Sequence, residues 1–142
     1  MGPLIALLVT LAMGAQSPKP APLVEVSGAW LRAAQPKQVT GGYVLLHNRA
    51  DSAVALTAVR SPIAKTIELH SISERDGVMR MVRVEKITVP ARDKVALEPG
   101  GYHLMLFELT RVLAPGDRVT LTFVFDNGRE VDVVFDVKAR DA

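Results

Sequence analysis

From Leu23 onward the hydrophobic residues fall in short runs, many of them alternating with polar positions, and turn residues cut the runs apart. That period and those lengths belong to strands with one buried face, not to helices. The pattern predicts strands over Val24–Arg32, Gly41–Asn48, Ala53–Val59, Lys65–Ser73 and Val78–Val89. It predicts further strands over Lys94–Leu97, Tyr102–Leu109, Arg118–Phe125 and Glu130–Lys138. Asp76-Gly77 is the strongest hairpin signal, because a two-residue type I′ loop needs positive φ at both central positions. Asp126-Asn127-Gly128 predicts a closing hairpin. No segment carries a helical period of useful length. The expected fold is therefore all-β, a sandwich or barrel.

The first residues read differently. MGPLIALLVTLAMGA, residues 1–15, holds an apolar run of signal-peptide length, too short to span a bilayer, followed by small residues that suit a signal peptidase. Residues 16–22 (QSPKPAP) form a Pro-rich linker. The expected division is a signal peptide over 1–15, a linker over 16–22 and one β-domain over 23–140. No cysteine follows the apolar run, so an acyl anchor is not expected.

Composition narrows the function more than the fold. Net charge is +2, with acids and bases interspersed, a balance too mild to argue for nucleic acid. The chain has no cysteine. Disulfides, zinc ribbons, iron–sulfur clusters, thiol nucleophiles and the thiolate of a blue-copper centre are all excluded.

What remains is a soft-ligand cluster. Beyond residue 15 the only methionines are Met79, Met81 and Met105, and all three lie between Ile67 and Phe107 with two of the three histidines. His70, Met81, His103 and Met105 are spaced H-x10-M-x21-H-x-M. Residues i and i+2 share a strand face, so His103 and Met105 point one way and Tyr102, Leu104 and Leu106 the other. If Asp76-Gly77 is the loop, Arg75 pairs with Val78, His70 faces Arg83 and Met81 faces Ile72. His70, Met79 and Met81 then share a face, while Leu69, Val82 and Val84 form the core side. Thioether sulfur is soft and neutral and suits Cu(I), and imidazole adds affinity for copper in either state. Zinc would normally recruit Cys or carboxylate with His. The residues thus predict one Cu(I) held by His70, Met81, His103 and Met105. Met79 is expected to shield the site, His47 to be a surface residue and Trp30 to be core. Glu68 either orients a ligand imidazole or is a solvated surface carboxylate. No nucleophile–base pair or carboxylate dyad stands out, so an enzyme is not expected.

The spacing resembles that of the PCuAC family of bacterial periplasmic copper chaperones. The segments Ile67-Glu68-Leu69-His70, Pro99-Gly100-Gly101-Tyr102-His103-Leu104-Met105-Leu106 and Leu113-Ala114-Pro115-Gly116-Asp117 carry the likeness, with Ala29-Trp30-Leu31-Arg32, Gly41-Gly42-Tyr43 and Asn48. The resemblance covers Val24 to Val137. It implies a cupredoxin-like Greek-key β-sandwich or barrel, Cu(I) on the same four residues, and a periplasmic location. It also implies copper supply to the CuA centre of cytochrome c oxidase subunit II, alongside thioredoxin-like assembly factors. A monomer is expected. Copper storage or detoxification is the alternative use of the same site. The chain departs from the family pattern in two places. Ala91-Arg92-Asp93-Lys94 stands where many members have a turn glycine, and the chain ends without a Met/His-rich tail, so one copper per chain is expected.

Overall fold

The computed structural model describes residues 23–142, together with Gly2 and Gly14. The signal peptide and the linker expected over 1–22 lie outside the described residues, those two glycines apart. The chain forms ten strands: β1 Val24–Arg32, β2 Thr40–Asn48, β3 Val54–Arg60, β4 Ala64–Arg75, β5 Val78–Val84, β6 Ile87–Val89, β7 Lys94–Leu97, β8 His103–Leu109, β9 Arg118–Phe125 and β10 Glu130–Lys138. They hydrogen-bond in the order β5-β4-β8-β2-β1-β10-β9-β3-β6, with β7 on β2. The architecture is all-β and cupredoxin-like.

The sheet folds over a single apolar core. Phe123, Phe135, Leu31, Leu46, Leu104 and Leu121 are fully buried within it. β9 shows the pattern most plainly, with Val119, Leu121, Phe123 and Phe125 buried at every second position. β1 changes register between Ser27 and Trp30, where Gly28 takes φ 62°. A β-bulge of this kind bends a strand. Beyond it, Trp30–Arg32 pairs in parallel with Asp136–Lys138 of β10.

Two loop devices hold the layers together. Asn48 is fully buried, and its Nδ2 donates to the carbonyls of Ser52 (2.9 Å), Val89 (3.1 Å) and Pro90 (3.2 Å). Its Oδ1 accepts from Ala50 N–H at 2.9 Å. Each buried group orphaned by truncation costs about 1–3 kcal/mol. Asn48→Ala should therefore lower stability by at least about 2 kcal/mol, read as a reduced midpoint in urea unfolding. The second device is the turn in which the family pattern has glycine. Arg92 occupies it with φ 56°, a left-handed conformation disfavoured for a side-chain-bearing residue. Its guanidinium pairs with Asp51, and its N–H donates to Ala50 at 3.1 Å. The departure from glycine is thus confined to a loop.

The structure corrects three expectations. The run Val78–Val89 is two strands, because Glu85-Lys86 carries the chain from the β4 edge across to β3. Ile87 and Val89 of β6 are buried, whereas almost all of β5 is exposed. Val82 is not a core residue: it is 42% exposed, because no layer covers that side of the hairpin where it extends beyond the core. Trp30 is half-buried rather than core. Its ring lies 4.6 Å from that of Tyr43, with Arg32 and Lys138 over it at 5.5 and 4.9 Å.

Candidate metal centre

β4, β5 and β8 build the site, and a local turn sets the register of the first two. Asp76 and Gly77 adopt φ 53° and 76°, as a two-residue hairpin loop of this type requires. Arg75 therefore pairs with Val78, Ile72 with Met81 and His70 with Arg83. On the other side of β4, His70 pairs with His103, Leu69 with Leu104 and Glu68 with Met105. Strand alternation then sends His70, Glu68, His103 and Met105 to one face and Leu69, Leu104, Leu106 and Ile67 to the core. Leu104 and Leu106 are fully buried, and Leu69 nearly so.

The imidazoles of His70 and His103 are cross-strand neighbours, with ring centroids 5.6 Å apart and planes at 38°. Phe107 closes the inner side at 6.4 Å from the His70 ring. His103, Met105, Met81 and Ile72 share a cavity of about 350 Å³ with Tyr43 and Gly41. His70 borders this group through its contact with His103 and is not itself in the cavity wall. Gly41 pairs with Met105 and leaves the floor open. A Cβ there would stand 2.8 Å from the Tyr43 hydroxyl, which accepts a 3.2 Å hydrogen bond from Arg32 Nε. Gly42 faces the other way, and its Cβ would meet Leu31 at 2.7 Å.

The hydrogen-bonding pattern shows what the imidazoles lack. His103 is 4% exposed, and its Nδ1 lies 2.9 Å from the carbonyl oxygen of Gly101. A carbonyl only accepts, so Nδ1 carries a proton, and in the neutral ring Nε2 is the atom that holds the free lone pair. That Nε2 is buried without a partner, and so are both ring nitrogens of His70 and Oε2 of Glu68. Glu68 Oε2 stands 3.7 Å from His70 Nε2 and 3.8 Å from Arg83 Nε, outside hydrogen-bond reach of either. Buried polar atoms left unpaired cost free energy that native proteins ordinarily avoid. Several such atoms, with thioethers on the same face, fit a bound soft cation.

Exposure is uneven across the four residues. His103 is buried and His70 and Met105 partly so, whereas Met81 is 62% exposed on the edge strand. One imidazole sits under cover, the other is partly covered, and one thioether stands in solvent. Among the described residues no three His, Asp or Glu side chains are grouped to hold a metal, so a metal here would draw on sulfur. His47 lies elsewhere, on β2, with Nδ1 3.7 Å from Glu25 Oε2. Sequence reasoning missed the pairing of Tyr43 with Arg32 at the cavity. The two residues lie on adjacent strands brought together by the β1–β2 register, and no sequence spacing reports that.

Fold and side chains together define a cupredoxin-like β-domain with a histidine–methionine pocket at one end of its sheet. The chain belongs to the PCuAC family: a match to the family described as "Putative lipoprotein LpqE-like" spans residues 24–137. It is 30% identical over 132 residues to "Putative lipoprotein Lxx21020" of Leifsonia xyli, covering 92% of this chain and 79% of that one. Its fold is similar to the copper-bound PCuAC domain from PmoF2, with TM-score 0.71 and 25% identity over 83% of this chain and 94% of that one. It is also similar to CuI-DR1885 from Deinococcus radiodurans, with TM-score 0.61 and 32% identity over 89% and 83% of the two chains.

Proposed function

We propose that this protein is an exported copper chaperone that binds one Cu(I) through His70, Met81, His103 and Met105 and delivers it to the CuA centre of cytochrome c oxidase. One observation carries the reading. His103 is fixed by its Nδ1–H donating to Gly101, which leaves a buried, unpartnered Nε2 beside His70 and on the face of Met105. Copper-bound relatives in the same family support the identity of the ion. Relatives described as lipoproteins support export.

The ligand chemistry suits carriage more than catalysis. Two neutral thioethers and two imidazoles satisfy a d¹⁰ ion without the hold of a thiolate cage. Four protein ligands leave no open position for a substrate, so we assign no enzymatic activity. Gly101 orients the imidazole from outside the ligand set, as outer hydrogen bonds do at metal sites generally. Leu104 and Leu106 anchor the strand from the core side.

Anaerobic titration should give one tightly bound Cu(I) per chain. Incubation of the loaded protein with an apo CuA domain should then move the copper, read as the CuA absorption after reoxidation. Tight binding without transfer would favour storage over delivery. No stoichiometric binding at all would overturn both.

A further inference from the structure

The proposed set uses two of the three methionines on the described strands, and the third has no packing role. Met79 is 63% exposed, and with Met81 it is one of the two most exposed large hydrophobic side chains among the described residues. Burying a methionine contributes about 1.5–3 kcal/mol, and β5 forgoes that twice. Shielding does not explain Met79, since a side chain so exposed covers little.

The positions of its neighbours suggest a use. Met79 and Met81 stand at i and i+2 on β5, so both lie on the face of His70. Their Cα atoms are about 7 Å apart along the strand, a gap that two flexible thioether side chains can close around one ion. Glu74 pairs directly with Met79 across the hairpin, and it is exposed. β5 ends the sheet, so no strand lies beyond it. From the core outward, this face presents buried His103, partly buried His70, exposed Met81, and then Met79 with a carboxylate opposite.

We infer that Met79 is an outer copper-binding station through which Cu(I) is loaded and unloaded. The ion is taken up by the Met79 thioether, with Glu74 supplying negative charge across the hairpin. It passes to Met81 and then to the buried ligands, and release runs the other way. On loading, the bond to the copper donor breaks as the Cu–S bond to Met79 forms. The Cu–Met79 bond then breaks as bonds form to Met81 and Met105 sulfur and to imidazole nitrogen of His70 and His103. Copper remains Cu(I) throughout, and no electron or proton moves. The inference rests on the proposed four-residue site. Because Met79 lies outside the resting ligands, it governs rates and not the equilibrium affinity.

Met79→Leu removes the sulfur and keeps volume and apolarity. Affinity for Cu(I) should stay within about twofold of the parent, while copper exchange with bicinchoninate slows about tenfold, a barrier change of about 1.4 kcal/mol. Glu74→Gln should slow it less. Methyl NMR of methionine-labelled protein, titrated with Ag(I) as a redox-inert analogue, should show exchange broadening of the Met79 methyl below one equivalent. The Met81 and Met105 methyls should shift to new positions. An unchanged exchange rate in Met79→Leu, or a Met79 methyl that never responds while Met81 shifts, would overturn the station. An affinity loss of tenfold or more in Met79→Leu would overturn it too, by making Met79 a resident ligand. If the parent protein binds no Cu(I), or the Met81 methyl does not move, the fault lies in the four-residue site itself.

Discussion

Replacing His103 with alanine should abolish tight Cu(I) binding while leaving a folded domain. Disturbing an outer-sphere partner of a metal ligand typically costs about 10–100-fold in affinity, and removing the ligand itself should exceed that range. His103 is the residue to choose because its geometry is the most constrained of the four. It is buried, paired with His70 across β4 and β8, and held by Gly101. Its Nε2 is buried without a hydrogen-bond partner, so the substitution removes an atom that no other contact in the structure engages. A competition titration against a Cu(I) chelator measures the loss, and far-UV circular dichroism verifies the fold. His47→Ala, on β2 beside Glu25, should leave binding intact. An His103→Ala protein that retains parental affinity would remove the site from this face of the sheet.

Leu104→Ala tests the same strand from its other side. Leu104 lies between His103 and Met105, pairs with Leu69 and is fully buried. Truncating a buried leucine costs the transfer free energy of the lost methyls plus the cavity left behind, together about 2–5 kcal/mol. The expected result is a fall in Tm on the order of 10 °C. The stoichiometry of one Cu(I) per chain should persist below the new transition, because His103 and Met105 keep their direction. The two substitutions are adjacent in sequence and opposite in effect: one removes the metal and spares the fold, the other weakens the fold and spares the metal. If Leu104→Ala cost less than about 1 kcal/mol, the division of β8 into a ligand face and a core face would be wrong.

Much of this arrangement is legible without coordinates, for a local reason. Strand alternation has a strict period of two, and a two-residue loop with positive φ at Asp76 and Gly77 sets hairpin register. Hence the pairings of Arg75 with Val78, Ile72 with Met81 and His70 with Arg83 follow from the order of residues alone. So do the opposed directions of His103 and Leu104. The strands Val24–Arg32, Lys94–Leu97, Arg118–Phe125 and Glu130–Lys138 end where turn residues end them.

Burial is another matter. Alternation divides a strand into two faces but does not say which face another layer will cover, or whether any layer will. Val82 and Val84 share a face of β5. Val84 packs against the core and Val82 stands in solvent, because the hairpin reaches past the edge of the facing sheet. Glu85-Lys86 marks a passage between layers only because Ile87 and Val89 find β3 to pair with. The meeting of His70 with His103 comes from the β4–β8 pairing across a long connection, and so does the cover over His103. By itself, then, the sequence determined most of the strands, the hairpin register and the alternation that sets His103 and Met105 against Leu104 and Leu106, since these depend on residue type and on a period of two. Only the tertiary structure decided that His103 lies buried, His70 partly so, and Met79 and Met81 exposed, since burial depends on which distant strands close over each face.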